Sequence, residues 1–156
     1  MKIRNIQPAD HRLIAEVMPQ WWEGRDLSAS LLKIFFIHFQ NTCFIAEEGN
    51  EITGFLVGFL SQYIRDEAYI QLAGVHPNCR KQGVGKKLYQ EFYTVCKSNS
   101  VSIVKSCTSP QNTLSIVFHQ RMGFAILPGD SKINGFDVTS NYLTEGNSKV
   151  IFEIKI

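Results

Sequence analysis

Apolar positions recur along the chain with two different periods, and their alternation predicts a succession of strands and helices. A short strand covers about Lys2 to Ile6. A helix then begins through Pro8 and Asp10, with Asp10 as its N-cap, and fades before Pro19. A second helix spans about Ser28 to Phe39, followed by strands over Thr42 to Glu47 and Ile52 to Ser61 around a turn at Gly49 and Asn50. The next strand, Ala68 to Val75, stops at His76 and Pro77, because Pro77 has no amide to continue a ladder. From Gly83 to about Lys97, the stripe Val84, Leu88, Phe92 and Val95 predicts an amphipathic helix. A strand over Ser102 to Thr108 follows, then a helix capped by Asn112, running to Met122 and stopped by Gly123. Phe124 begins the return into a last pair of strands. Because several neighbouring strands precede the Gly83 helix, the class is α/β with a mixed sheet.

The stretch Val75-His76-Pro77-Asn78-Cys79-Arg80-Lys81-Gln82-Gly83-Val84-Gly85 joins a strand end to a helix start through an Arg-x-x-Gly-x-Gly turn. Amides at a helix N-terminus and the positive end of its dipole favour an anion, and the bare backbone of Gly83 and Gly85 lets phosphate oxygens come close. Arg80, Lys81 and Lys86 add positive charge. The same glycines would also serve plain helix packing, so the turn alone is a weak signal.

Composition narrows the field. The 156 residues are 44% hydrophobic and 19% charged, enough for one ordered domain over 1–156. A net charge of +2 is too small for a nucleic-acid or membrane surface. The bias is local: from 80 to 105 the bases Arg80, Lys81, Lys86, Lys87, Lys97 and Lys105 face one acid, Glu91, which suits a polyanionic ligand. Lys2, Arg4, Asp10, Arg12 and Glu16 interrupt any leader-like apolar run, so a cytoplasmic location is expected. Cys43, Cys79, Cys96 and Cys107 contain no CxxC pair and suggest neither a metal site nor a disulfide framework.

The Val75 to Gly85 stretch resembles motif A of the GNAT superfamily of N-acetyltransferases. Asn112, Ser115, Phe118, His119, Gly123 and Phe124 resemble its motif B, at the right distance downstream. The resemblance implies a GNAT fold: a mixed, mostly antiparallel central sheet splayed between its fourth and fifth strands, flanked by about four helices. It implies acetyl-CoA as co-substrate. The pantetheine arm would bond the backbone of Ala73 and Val75, with Arg80, Lys81, Gln82, Gly83, Val84, Gly85, Lys86, Asn112 and Phe118 as further cofactor contacts. One departure stands out, since His119 occupies a position where many members carry a Tyr thought to protonate the departing thiolate.

Direct transfer requires a neutral amine. A lysine-like amine has a pKa near 10.4, so ionisation opposes attack by about 4 kcal/mol at neutral pH. No carboxylate is placed well enough to be named as the base. The developing oxyanion calls for a strand amide left free by the splay or by a bulge, with Ala73 as candidate donor. His119 is either the proton donor to the thiolate or a hydrogen-bonded structural histidine. Trp22 and Arg25, in the Trp21 to Arg25 turn, with Gln71 and Tyr142 are the acceptor-side candidates, set against one Trp anchoring the turn with Arg25 a solvated charge; Gly129 to Ser148 is either a surface loop or a lid that places Tyr142 over the acceptor. The reading is an N-acetyltransferase acting on a small-molecule or peptide amine. A CoA-binding regulatory module without turnover is the alternative. A nucleotide-binding oxidoreductase is disfavoured because no GxGxxG follows an N-terminal strand. Oligomeric state stays open, a homodimer included.

Overall fold

A computed structural model describes residues 1–22 and 27–156 of the chain, and its contacts fall into two compact units, 1–101 and 102–156. In the first unit four strands run β1 (Lys2–Asn5), β2 (Phe44–Glu48), β3 (Glu51–Leu60) and β4 (Glu67–Val75), each antiparallel to the one before it. Helices α1 (Asp10–Trp21), α2 (Lys33–His38) and α3 (Val84–Ser98) belong to the same unit. The second unit holds β5 (Ile103–Thr108), α4 (Thr113–Arg121), β6 (Ala125–Ile126), a hairpin of β7 (Ser131–Ile133) and β8 (Phe136–Val138), and β9 (Val150–Lys155). There β9 pairs antiparallel with both β5 and β6. The hairpin occupies a segment expected to be loop, where Asn134 and Gly135 both take positive φ and close the two-residue connection.

Helix α1 runs through Pro19 to Trp21 instead of fading before it. Proline removes one helical donor, but Ile14, Met18 and Trp21 form a fully buried stripe against Phe35, Phe36, Ile45 and Phe55, and each such side chain contributes roughly 1.5–3 kcal/mol. Burial wins. The expected single helix from Ser28 to Phe39 is instead a 3-10 turn, an extended Leu32 at φ −74° and ψ 126°, and the short α2. In α3 the buried stripe is Val84, Leu88, Phe92 and Cys96 with Tyr89, and Val95 is only half-buried.

Asp10 is not the N-cap of α1: Ala9 holds that position, and no side chain caps it. The Asp10 carboxylate instead accepts the Gln7 amide at 2.7 Å and both Nη groups of Arg4, at 2.7 and 2.9 Å, while Arg4 Nε bonds Glu47 on β2 at 3.0 Å. Although burial opposes its ionisation, these bonds hold the Asp10 carboxyl below the usual carboxylate range. The network fastens the start of α1 to β1 and β2. Asp10→Ala leaves the Gln7 amide and both Arg4 Nη groups without this acceptor while Arg4 keeps Glu47, so it is expected to cost about 2 kcal/mol, read as a lower urea midpoint with an unchanged slope.

Candidate active site

Strand β4 carries a bulge. Val57 of β3 pairs with Leu72 and Gly58 pairs with Ile70, so Gln71 is the extra residue on β4, out of step with the β3 ladder. Beyond it Ala73 pairs with Leu56 and Val75 with Gly54, both half-buried.

The chain leaves β4 through a tightly held turn. The His76 amide donates to Thr53 O at 2.9 Å, and its imidazole Nδ1 accepts the Asn78 amide at 3.2 Å, capping a 3-10 turn over Pro77–Cys79. Lys81 takes φ 62° and Gly83 φ 84°, both left-handed, and the Gln82 amide nitrogen donates to Asn78 O at 2.8 Å. The first helical bond of α3 runs from the Lys87 amide to Gly83 O, so the amides of Val84, Gly85 and Lys86 have no acceptor within their own helix. A Cβ built on Gly83 would meet nothing within 4 Å. Anchored by the buried Val84, with Lys81 and Lys86 exposed beside it, this turn presents amides, dipole and positive charge to an incoming anion.

Arg80 makes two main-chain bonds. Its Nη2 donates to Trp21 O at 2.5 Å and its Nε to Val75 O at 3.3 Å. Trp21 lies edge-on to His76 at 5.6 Å and near Phe55 at 5.9 Å, while Trp22 meets Phe55 edge-on at 5.9 Å. Trp22 Cζ2 stands 2.9 Å from where a Gly74 Cβ would be, so its ring lies on the bare β4 backbone. Trp22 and the β4 residues are thus brought together; Arg25 falls outside the described residues.

In the second unit, Asn112 caps α4 with its side-chain oxygen, accepting the Ser115 amide at 3.3 Å. Buried at 5% exposure, His119 stacks flat on Phe152 at 4.3 Å and is edged by Phe124 at 5.1 Å and by the half-buried Phe118 at 5.5 Å. Its Nδ1 donates to Ser115 O at 2.8 Å. Burial in this aromatic box lowers the His119 pKa from 6.5 to about 4, so the ring is neutral at pH 7 and holds no readily released proton. Tyr142 is 36% exposed, in a loop closed by its own amide bonding Asn147 O at 3.1 Å.

Burial pushes the Cys43 thiol up to about 11 and the Cys96 thiol up to about 12, which keeps both protonated at neutral pH. Among the described residues no group of three or more His, Cys, Asp or Glu is placed to hold a metal, and no helix is long and apolar enough to cross a membrane.

Residues 7–124 match the model of the acetyltransferase (GNAT) family. The chain belongs to that family. Curated relatives include an L-2,4-diaminobutyric acid acetyltransferase of Halalkalibacterium halodurans, 27% identical over 85 residues, which are 54% of this chain and 45% of that protein. The chain spans about half the length of the curated relatives it matches. The GNAT fold is shared with Ard1 from Thermoplasma volcanium, with a TM-score of 0.78 at 22% identity over 99% of this chain and 97% of the other. It is shared as well with the diaminobutyrate acetyltransferase EctA from Paenibacillus lautus in complex with L-2,4-diaminobutyric acid and coenzyme A. That comparison gives a TM-score of 0.72 at 20% identity, over 99% of this chain and 93% of the other. The GNAT chain thus has the α/β architecture that its two motifs imply. A bulge was among the expected sources of a free strand amide, but its place at Gln71, the bare Gly74 under Trp22 and the tie from Arg80 to Trp21 were not foreseen. Only Gly74 left a signal, as a glycine inside a strand.

Proposed function

We propose that this chain is an N-acetyltransferase, a single domain that uses acetyl-CoA to acetylate a primary amine on a small molecule. The 81–86 turn carries the reading. Its free helix-start amides, with an open approach over Gly83, fit the pyrophosphate of coenzyme A, and the exposed Lys81 and Lys86 add charge on the same side. Acetyl-CoA supplies the acetyl group as a thioester. The extended backbone at Ala73 and Val75 would hold the pantetheine arm, and an amide at Ala73 or at the Gln71 bulge would stabilise charge developing on the carbonyl oxygen. As the amine nitrogen bonds the carbonyl carbon, the carbon–sulfur bond breaks and the amine proton passes to water. A thiolate of pKa about 8.5 leaves without a dedicated acid. His119 takes no part in this step, because a ring that is neutral and bonded to Ser115 O serves α4.

The printed activity of the relatives makes L-2,4-diaminobutyrate the first acceptor to test, ahead of other diamines, amino acids and N-terminal peptides. Calorimetry with acetyl-CoA tests the cofactor half, with micromolar to submillimolar binding expected. A folded protein unresponsive to millimolar acetyl-CoA would sink the reading. A binding module without turnover is favoured by one observation, the engaged His119 at the acid position. Acetylation of any amine on the panel removes that alternative.

A further inference from the structure

We propose that Arg80 is a positioning residue for the amine acceptor, acting through the end of α1, and not a ligand of the coenzyme A phosphates. The geometry has three parts. First, Trp21 is the last residue of α1, and the Arg80 guanidinium bonds its carbonyl across 59 positions of sequence. A cation there also meets the negative end of the helix dipole. Second, Arg80 Nε bonds Val75 O, so one side chain spans the last residue of β4 and the last residue of α1. Third, the ring of His76, whose Nδ1 caps the 3-10 turn, lies against Trp21 from the same connection.

The consequence falls on Trp22. Its ring lies on β4 only because Gly74 carries no side chain, with Trp22 Cζ2 and Cη2 at 2.9 and 3.0 Å and Phe55 Cε1 at 2.8 Å from the vacant Cβ position. Fixing the Trp21 carbonyl fixes the residue after it, so Arg80 sets where this indole stands above the strand that holds the acetyl group. The turn that receives the cofactor and the aromatic wall that meets the acceptor are joined by one residue. Two of the five guanidinium donors are held by main-chain carbonyls, which ties the side chain to the ends of β4 and α1.

The inference rests on the acetyl-transfer reading for its acceptor, but its geometry is tested without turnover. Trp21 and Trp22 are the chain's two tryptophans, so intrinsic fluorescence reports on this place alone. Arg80→Ala is expected to shift the emission maximum to the red and to raise acrylamide quenching at least twofold, while the acetyl-CoA Kd by calorimetry stays within about threefold of wild type. The acceptor KM rises about tenfold or more with kcat nearly kept. Arg80→Lys, which retains charge but loses the fork, restores acetyl-CoA binding no further and the emission only in part. Gly74→Ala, which lifts the indole from the strand side with Arg80 intact, reproduces the emission change and keeps the proposal testable if Arg80→Ala does not fold. Unchanged emission and quenching in both Arg80 variants would overturn the clamp, whatever the enzyme activity. A tenfold or greater loss of acetyl-CoA affinity in Arg80→Ala would overturn it in favour of a phosphate contact. Wild-type protein that binds no acetyl-CoA defeats the functional reading and leaves the fluorescence result to decide the clamp.

Discussion

Acetyl-CoA affinity is expected to fall at least about 100-fold in Gly83→Asp, with the fold retained. A 100-fold loss is about 2.7 kcal/mol. Gly83 sits at φ 84°, a region that costs a non-glycine residue roughly 1–2 kcal/mol but that Asp and Asn enter more readily than most. Nothing lies within 4 Å of the added Cβ, so no clash accompanies the strain. The new carboxylate would then stand beside the helix-start amides of Val84, Gly85 and Lys86, where an anion already finds the best local field, and would compete with the pyrophosphate for it. Gly83→Asn carries the same shape without charge and is expected to lose no more than about tenfold. Calorimetric titration of the two variants beside wild type, at matched ionic strength, separates strain from charge. Equal affinity in wild type and Gly83→Asp would exclude this turn as the phosphate site.

Acid is expected to destabilise wild type more than His119→Phe. The folded protein holds the His119 pKa at about 4 against an ordinary 6.5, so between those values the unfolded chain binds the extra proton. Stability from this residue is therefore complete above pH 6.5 and drains away as pH falls toward 4, a loss on the order of 3 kcal/mol across the window. Phenylalanine keeps a ring to stack on Phe152 but cannot bond Ser115 O and does not titrate. Melting temperatures at pH 7 and pH 4.5 should thus converge or cross, with the variant less stable at the higher pH and relatively favoured at the lower. Parallel losses in the two proteins would show that His119 is not buried neutral. The kcat at saturating substrates gives the second readout: little change is expected for a structural ring, whereas a fall of about 10²-fold or more would return His119 to the chemistry as a general acid.

The order of the main elements and the place of the phosphate-sized turn are legible in the chain before any packing is known. Strands at Phe44–Glu48, Glu51–Leu60 and Glu67–Val75 differ from expectation by no more than two residues at either end, because apolar periodicity and the stops at Gly49 and Pro77 act locally. Asn112 and Gly123 bound α4 for the same reason, since a cap bonds an amide three residues away and a left-handed stop needs only its own φ. Local signals failed where distant atoms outvoted them. Helix α1 continues past Pro19 because Trp21 finds a core to enter, and Asp10 leaves the cap position because the Arg4 guanidinium and the Gln7 amide both bind its carboxylate. The β4 bulge follows from a register with β3 that no single strand encodes. His119 shows the difference most clearly: its residue type left both a proton donor and a structural ring open, and only the burial against Phe152 and the bond to Ser115 O favour a neutral ring. Arg80 follows the same logic, since a motif gives a cation its place in the chain but not the direction of its donors, and that direction was decided by a carbonyl 59 residues away at the end of α1.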